Sequence, residues 1–125
     1  MAEYTIRVST TVQCALHIEG VAHPDSETHG RSMVIAATFA GEQLDEHGFL
    51  RDERRLRSRL ETVTSDLDHA YLNRLPQFAG LNPSGENIAR WVAERLQELS
   101  PPADPVRLVK VSVELHRDAR VTYRL

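Results

Sequence analysis

The sequence predicts an α+β domain, a four-stranded antiparallel sheet with two helices on one face, in the order ββααββ. Three observations carry that prediction. Apolar residues alternate with period two near both ends of the chain, apolar residues in the middle recur at spacings of three and four, and Gly, Pro and Asn separate the runs.

From Tyr4 the residues Tyr4, Ile6, Val8, Thr10, Val12, Cys14, Leu16 and Ile18 share one face, while Arg7, Ser9, Gln13, His17 and Glu19 share the other. This is a long half-buried strand. The segment from Val21 to Gly30 holds Pro24, Asp25, Ser26 and Gly30 without a period and reads as a loop. Alternation resumes through Met33, Ile35, Ala37 and Phe39 until Gly41, a second strand.

Asp52 is a suitable N-cap, and Leu56, Leu60, Val63 and Leu67 form a helical stripe. Asn82, Pro83, Ser84 and Gly85 make a turn and cap. Ile88, Trp91, Val92, Arg95, Leu96 and Leu99 then trace a second helix, which Pro101 and Pro102 stop. Val109, Val111, Val113 and Leu115 alternate with Leu108, Lys110, Ser112 and Glu114. A polar turn at Arg117 and Asp118 leads to Val121, Tyr123 and Leu125, giving a C-terminal hairpin.

At 125 residues, 41% hydrophobic and 26% charged, residues 1–125 are read as a single domain with its own core. A net charge of −3 with interleaved signs gives no footprint for nucleic acid. The basic run from Arg51 to Arg59 contains Asp52 and Glu53 and reads as a solvated helix face. One cysteine, Cys14, forms no internal disulfide. No apolar run suits a membrane span or a targeting leader, so the expectation is a cytoplasmic protein with no membrane partner. A four-stranded sheet has two edges, and edges invite pairing with further copies.

Functional side chains concentrate in two segments. His17, His23, Asp25, His29 and Arg31 lie on the first loop or its borders, and three imidazoles within thirteen residues suit a metal as well as they suit a solvated loop. His29 and Arg31 share a strand face, but Arg31 has no lone pair to give a metal. Asp68 and His69 follow the first helix. A carboxylate beside an imidazole fixes its tautomer and favours its charged form, as a proton shuttle requires, although a polar helix end has the same composition. Glu86 in a helical first turn complements the macrodipole. Glu114 lies opposite the Val111 and Val113 face, where a carboxylate can accept hydrogen bonds from an amino-heterocycle or meet solvent.

Four segments, "THGRSMVIAATFAGE", "HGFLRD", "LDHAYLN" and "NPSGENIARWV", occur in this order and spacing. With them the chain, from Thr11 to Tyr123, resembles the 6-pyruvoyl- and 6-carboxy-tetrahydropterin synthases of the tunnelling-fold family. That resemblance implies an oligomeric barrel, a homotrimer or hexamer with clefts between subunits, and a small heterocyclic substrate. It implies a lyase in which three histidines hold zinc, a cysteine and an Asp-His pair move protons, and two glutamates anchor the pterin. Carried over by position, His17 and His29 match zinc ligands, Asp68 and His69 the relay, and Glu86 and Glu114 the anchors.

The departures are as informative as the matches. Arg31 stands at the third ligand position, and the window that should hold the cysteine contains His23, Pro24 and Asp25. The resemblance therefore implies no zinc or weakly bound zinc, with Arg31 joining the substrate-binding set. A metal-independent enzyme using Asp68 and His69 on an aromatic or imine substrate is the alternative. A non-catalytic binding protein on the same scaffold is a third.

Overall fold

The computed structural model describes residues 2–125. Strands β1 (Tyr4–Leu16), β2 (His29–Gly41), β3 (Arg107–His116) and β4 (Ala119–Arg124) form one antiparallel sheet in that spatial order. Helices α1 (Glu53–Thr64) and α2 (Gly85–Leu99) both pack on it, α1 against β1 and α2 against β3 and β4. The ββααββ order read from the periodicities is the observed one.

The core lies between that helical layer and one face of the sheet. Val8, Val12, Cys14 and Leu16 of β1 and Met33, Ile35, Ala37 and Phe39 of β2 are buried there with Leu56 and Leu60 of α1 and Ile88, Val92 and Leu96 of α2. Each fully buried aliphatic side chain contributes roughly 1.5–3 kcal/mol over its exposed state. Asp52 caps α1 by accepting from the Arg54 amide at 3.0 Å, and Ser84 caps α2 by accepting from Asn87 at 3.2 Å. On the solvent side of α1, Arg54 meets Asp52 and Arg57 meets Glu53, so this part of the basic run is self-neutralised.

Three local features differ from the sequence reading. Strand β2 begins at His29, inside the expected loop, because Ala15 and Leu16 offer it two further pairing positions, which Gly30 takes without any side-chain signal. Leu67 lies beyond the end of α1 yet is fully buried, so the helical stripe overran the helix by one turn. The β2–β3 register shifts between Thr38 and Phe39, which leaves Val109 unpaired and turns Leu108 into the core. A bulge reverses alternation, which simple period-two reading cannot anticipate.

The outer edge of β1 is closed over its C-terminal part by groups that are not a strand. Asp68 accepts from the Gln13 amide at 2.9 Å, His69 donates its amide to the Gln13 carbonyl at 2.5 Å, and the Ala15 amide donates to the Ala70 carbonyl at 2.9 Å. Past the strand end, the Asn73 side chain imitates a neighbouring strand, accepting from the His17 amide and donating to the His17 carbonyl, both at 2.9 Å. Asn82 does the same for Glu19, at 2.8 and 3.0 Å. Asn73→Ala removes both bonds to His17 and is expected to cost about 1–3 kcal/mol. The check is a lower urea midpoint at unchanged slope; an unshifted midpoint would show that the clamp contributes nothing.

Candidate functional site

Register decides which face of the sheet each candidate occupies. Arg31 pairs with Cys14 and His29 with Leu16, so both project to the helical side, at the open end of the core. There Arg31 lines a cleft with Leu16, Ile18, Asp25, Met33, Glu86 and Leu115. The cleft measures about 190 Å³. Ligand sites usually occupy about 300–1,000 Å³, so this cleft by itself falls short of that range. Asp25 reaches the rim because its carbonyl accepts from the Ile18 amide at 2.8 Å.

The hydrogen bonds of His29 fix its tautomer. Its Nε2 lies 3.2 Å from Arg31 Nη2, and a guanidinium can only donate, so Nε2 accepts. Nδ1 therefore carries the proton and donates to the Glu27 carbonyl at 2.8 Å. Metal-ligating histidines are commonly oriented by such an Nδ1–H to carbonyl bond. Here the lone pair that would face a metal faces the Arg31 guanidinium. Arg31 Nη1 also donates to the Leu115 carbonyl at 3.4 Å.

His17 occupies a different place. Its Nδ1 lies 2.6 Å from the Tyr71 hydroxyl, which is itself 3.2 Å from the Thr28 hydroxyl, and its Nε2 lies 3.4 Å from Glu19 Oε1. Both ring nitrogens already have protein partners. Among the described residues no three His, Cys, Asp or Glu side chains converge to hold a metal ion.

Asp68 and His69 sit on the edge of β1, with His69 Nε2 3.6 Å from Asp68 Oδ2. The other carboxylate oxygen is fixed by the Gln13 amide, so the acid is anchored while the imidazole is 80% exposed. His69 has φ 59°, a left-handed conformation uncommon for a side chain with a Cβ. Glu114 pairs with Val34 on the helix-free face and meets Arg120 Nη2 at 3.1 Å. Within one protomer the cleft thus gathers Arg31, Glu86 and Asp25, while His17, Glu114 and the Asp68–His69 pair stand elsewhere. Cys14 is buried, and burial pushes its thiol up to about 11 against a smaller opposing effect of Arg31, so it stays protonated at neutral pH.

The model of the 6-pyruvoyl tetrahydropterin synthase family matches residues 5–125. The chain belongs to this family. A dihydroneopterin monophosphate aldolase from Pyrococcus furiosus is 32% identical over 87 residues, covering 70% of this chain and 69% of that protein. The 6-pyruvoyl tetrahydropterin synthase of Caenorhabditis elegans superposes with a TM-score of 0.81 at 22% identity, covering 100% of this chain and 97% of that one. That of Plasmodium vivax superposes with a TM-score of 0.79 at 16% identity, covering 100% and 99%. At such identities the two structures establish the shared α+β fold.

For a member of the 6-pyruvoyl tetrahydropterin synthase family, the donor set fits zinc poorly. One imidazole bonds a guanidinium, another is held by a tyrosine, and the cation of Arg31 sits beside the lone pair a dication would need. The sequence marked Asn82 only as part of a turn and gave no role to Asn73 or Tyr71. For the two asparagines the usable signal was chemical: an amide carries one donor side and one acceptor side and can replace a missing strand.

Arg31→His supplies a lone pair where a guanidinium stood and should raise zinc uptake, read by elemental analysis after dialysis against zinc and then a mild chelator. Full, chelator-resistant zinc in the unaltered protein would overturn the reading that Arg31 blocks the site.

Proposed function

We propose that this protein is a lyase acting on a pterin or closely related heterocycle, with Asp68 and His69 moving protons and Glu86 and Glu114 anchoring the ring. It carries no zinc or weakly bound zinc. What supports the relay is one observation: a solvent-open imidazole held at left-handed φ beside a carboxylate whose other oxygen is fixed to the backbone. An imidazolium formed at His69 lies 3.6 Å from Asp68 Oδ2, so charge developing during proton removal is met without rearrangement. The Pyrococcus relative is named for aldol cleavage of a phosphorylated dihydropterin. Removing a side-chain proton is a step such a cleavage requires, and His69 suits it.

Glu86 on the cleft rim and Glu114 on the helix-free face suit the N–H donors of a flat amino-heterocycle. Glu114 must release Arg120 to accept them, a small cost for a partly exposed ion pair. Because these groups occupy separate places in one protomer, we infer that the working site forms between copies, joined through the free N-terminal part of the β1 edge and through β4. Trimers or hexamers are expected by light scattering at micromolar concentration. A monomer would end this reading of the site.

His69→Ala and His69→Gly should each cut turnover by about 10²- to 10⁴-fold. Glycine tolerates φ 59°, so the glycine variant should match or exceed the stability of the parent while losing its turnover. Glu114→Gln should weaken binding more than it slows the chemical step. Full turnover in His69→Gly would remove the relay.

A further inference from the structure

Several arginines have no carboxylate partner, but the half-buried guanidinium of Arg31 is the one that lines the cleft with Asp25 and Glu86. Arg51, Arg57, Arg95 and Arg120 each reach a carboxylate. Arg31 has none within ion-pair distance among the described residues, although it lines the same cleft as Asp25 and Glu86. Its two hydrogen bonds, to Leu115 O at 3.4 Å and to His29 Nε2 at 3.2 Å, both go to neutral acceptors. A guanidinium has five N–H donors, so three remain unused. Around them the walls are Leu16, Ile18, Met33 and Leu115. A cation without a counter-ion in partly apolar surroundings favours an anion, and planar paired donors match the two oxygens of a carboxylate or phosphate.

The supports of Arg31 also hold it in place. The proton on His29 Nδ1 is committed to Glu27, so Nε2 is a fixed acceptor that keeps Nη2 against the cleft wall. The carboxylates on the rim set a direction. An anionic substituent belongs at Arg31, and N–H donors belong toward Asp25 and Glu86. One ligand carrying both satisfies every charge lining the cleft.

We propose that Arg31 is an oxyanion subsite, and that the substrate carries a carboxylate or phosphate group docked on its guanidinium. This rests on the pterin reading above for the body of the ligand.

The test compares two fluorescent probes, pterin-6-carboxylate and 6-hydroxymethylpterin, by anisotropy titration against the full-length protein, Arg31→Lys and Arg31→Met. The unaltered protein should bind the carboxylate about 10- to 100-fold tighter than the neutral probe, the usual worth of a hydrogen bond to a charged group. That ratio should fall to about one in Arg31→Met and partway in Arg31→Lys, which keeps the charge but not the fork. Melting curves with acetate or inorganic phosphate alone provide an arm that needs no pterin and separates the two oxyanions. Stabilisation by one of them that Arg31→Met abolishes supports the subsite. Equal affinity for both probes in the unaltered protein overturns the subsite and leaves the pterin reading standing. No binding of either probe, together with Arg31-dependent stabilisation by phosphate or acetate, overturns the pterin reading and leaves the subsite. No response to probes or to small anions overturns both.

Discussion

The arrangement of the candidate residues depends on how one strand edge is satisfied. From residue 13 to residue 19 the chain presents alternate backbone amides to its open side, and each unsatisfied buried amide would cost about 1–3 kcal/mol. Among the described residues there is no fifth strand, so the segment after α1 is drawn alongside: Asp68 takes the Gln13 amide, Ala70 takes that of Ala15, and Asn73 and Asn82 take those of His17 and Glu19. That closure fixes the position of Asp68 and His69, brings Tyr71 onto His17, and holds the loop before α2 against the strand end. A motif such as "LDHAYLN" thus has two tasks in one stretch. Leu67 and Leu72 are buried, Asp68 and Asn73 repair the edge, and His69 is left facing solvent.

At the same end of this strand pair, on β2, one side chain inverts what the site attracts. A neutral imidazole whose Nδ1–H is bound to a carbonyl offers a lone pair from Nε2, and that lone pair accepts a metal ion or an N–H donor equally well in geometry. With a third imidazole beside it, the site would attract a dication and, through it, hydroxyl or water oxygens. With Arg31 the lone pair is spent on a guanidinium 3.2 Å away, and the positive charge is carried by the protein itself. A fixed monocation with free donors suits an oxyanion, whereas a dication with open coordination suits a neutral oxygen that must be deprotonated. Family membership therefore conveys the scaffold, while the chemistry at this position depends on Arg31 and His29 themselves.

Most of the fold was legible because it rests on periodicity. Val8, Val12, Met33, Ile35, Leu56, Leu60, Ile88 and Leu96 are buried where their spacing puts them. Legibility failed where a backbone event intervenes without a side-chain mark: the bulge at Val109 that turns Leu108 inward, and the two extra residues of β2 at His29 and Gly30. In the candidate site, residue type and motif order pointed to Arg31, His29, Glu86, Asp68 and His69. Sequence could not show that His29 and Arg31 bond to each other, since same-face spacing allows contact without requiring it. That Glu114 lies opposite the Val111 and Val113 face was legible from alternation, whereas its pairing with Val34 was not.

His69 offers the strongest physical hint that the scaffold still does chemistry. A left-handed residue with a Cβ costs roughly 1–2 kcal/mol over glycine, and this turn follows a helix end, where glycine would be the ordinary solution. The side chain gives little back to stability: it is 80% exposed, and its one close charged neighbour is 3.6 Å away. Exposed pairs of this kind contribute at most about 1 kcal/mol. A fold optimised for stability alone would place glycine at residue 69, as it does at Gly48 and Gly80, which have φ of 86° and 75°. Ala103 adopts φ 58° as well, so left-handed backbone alone does not mark function; what sets His69 apart is an exposed imidazole beside a carboxylate anchored to the backbone. The proposed relay therefore turns on the imidazole at residue 69 and not on the fold around it, and it is this side chain that the variants at residue 69 interrogate.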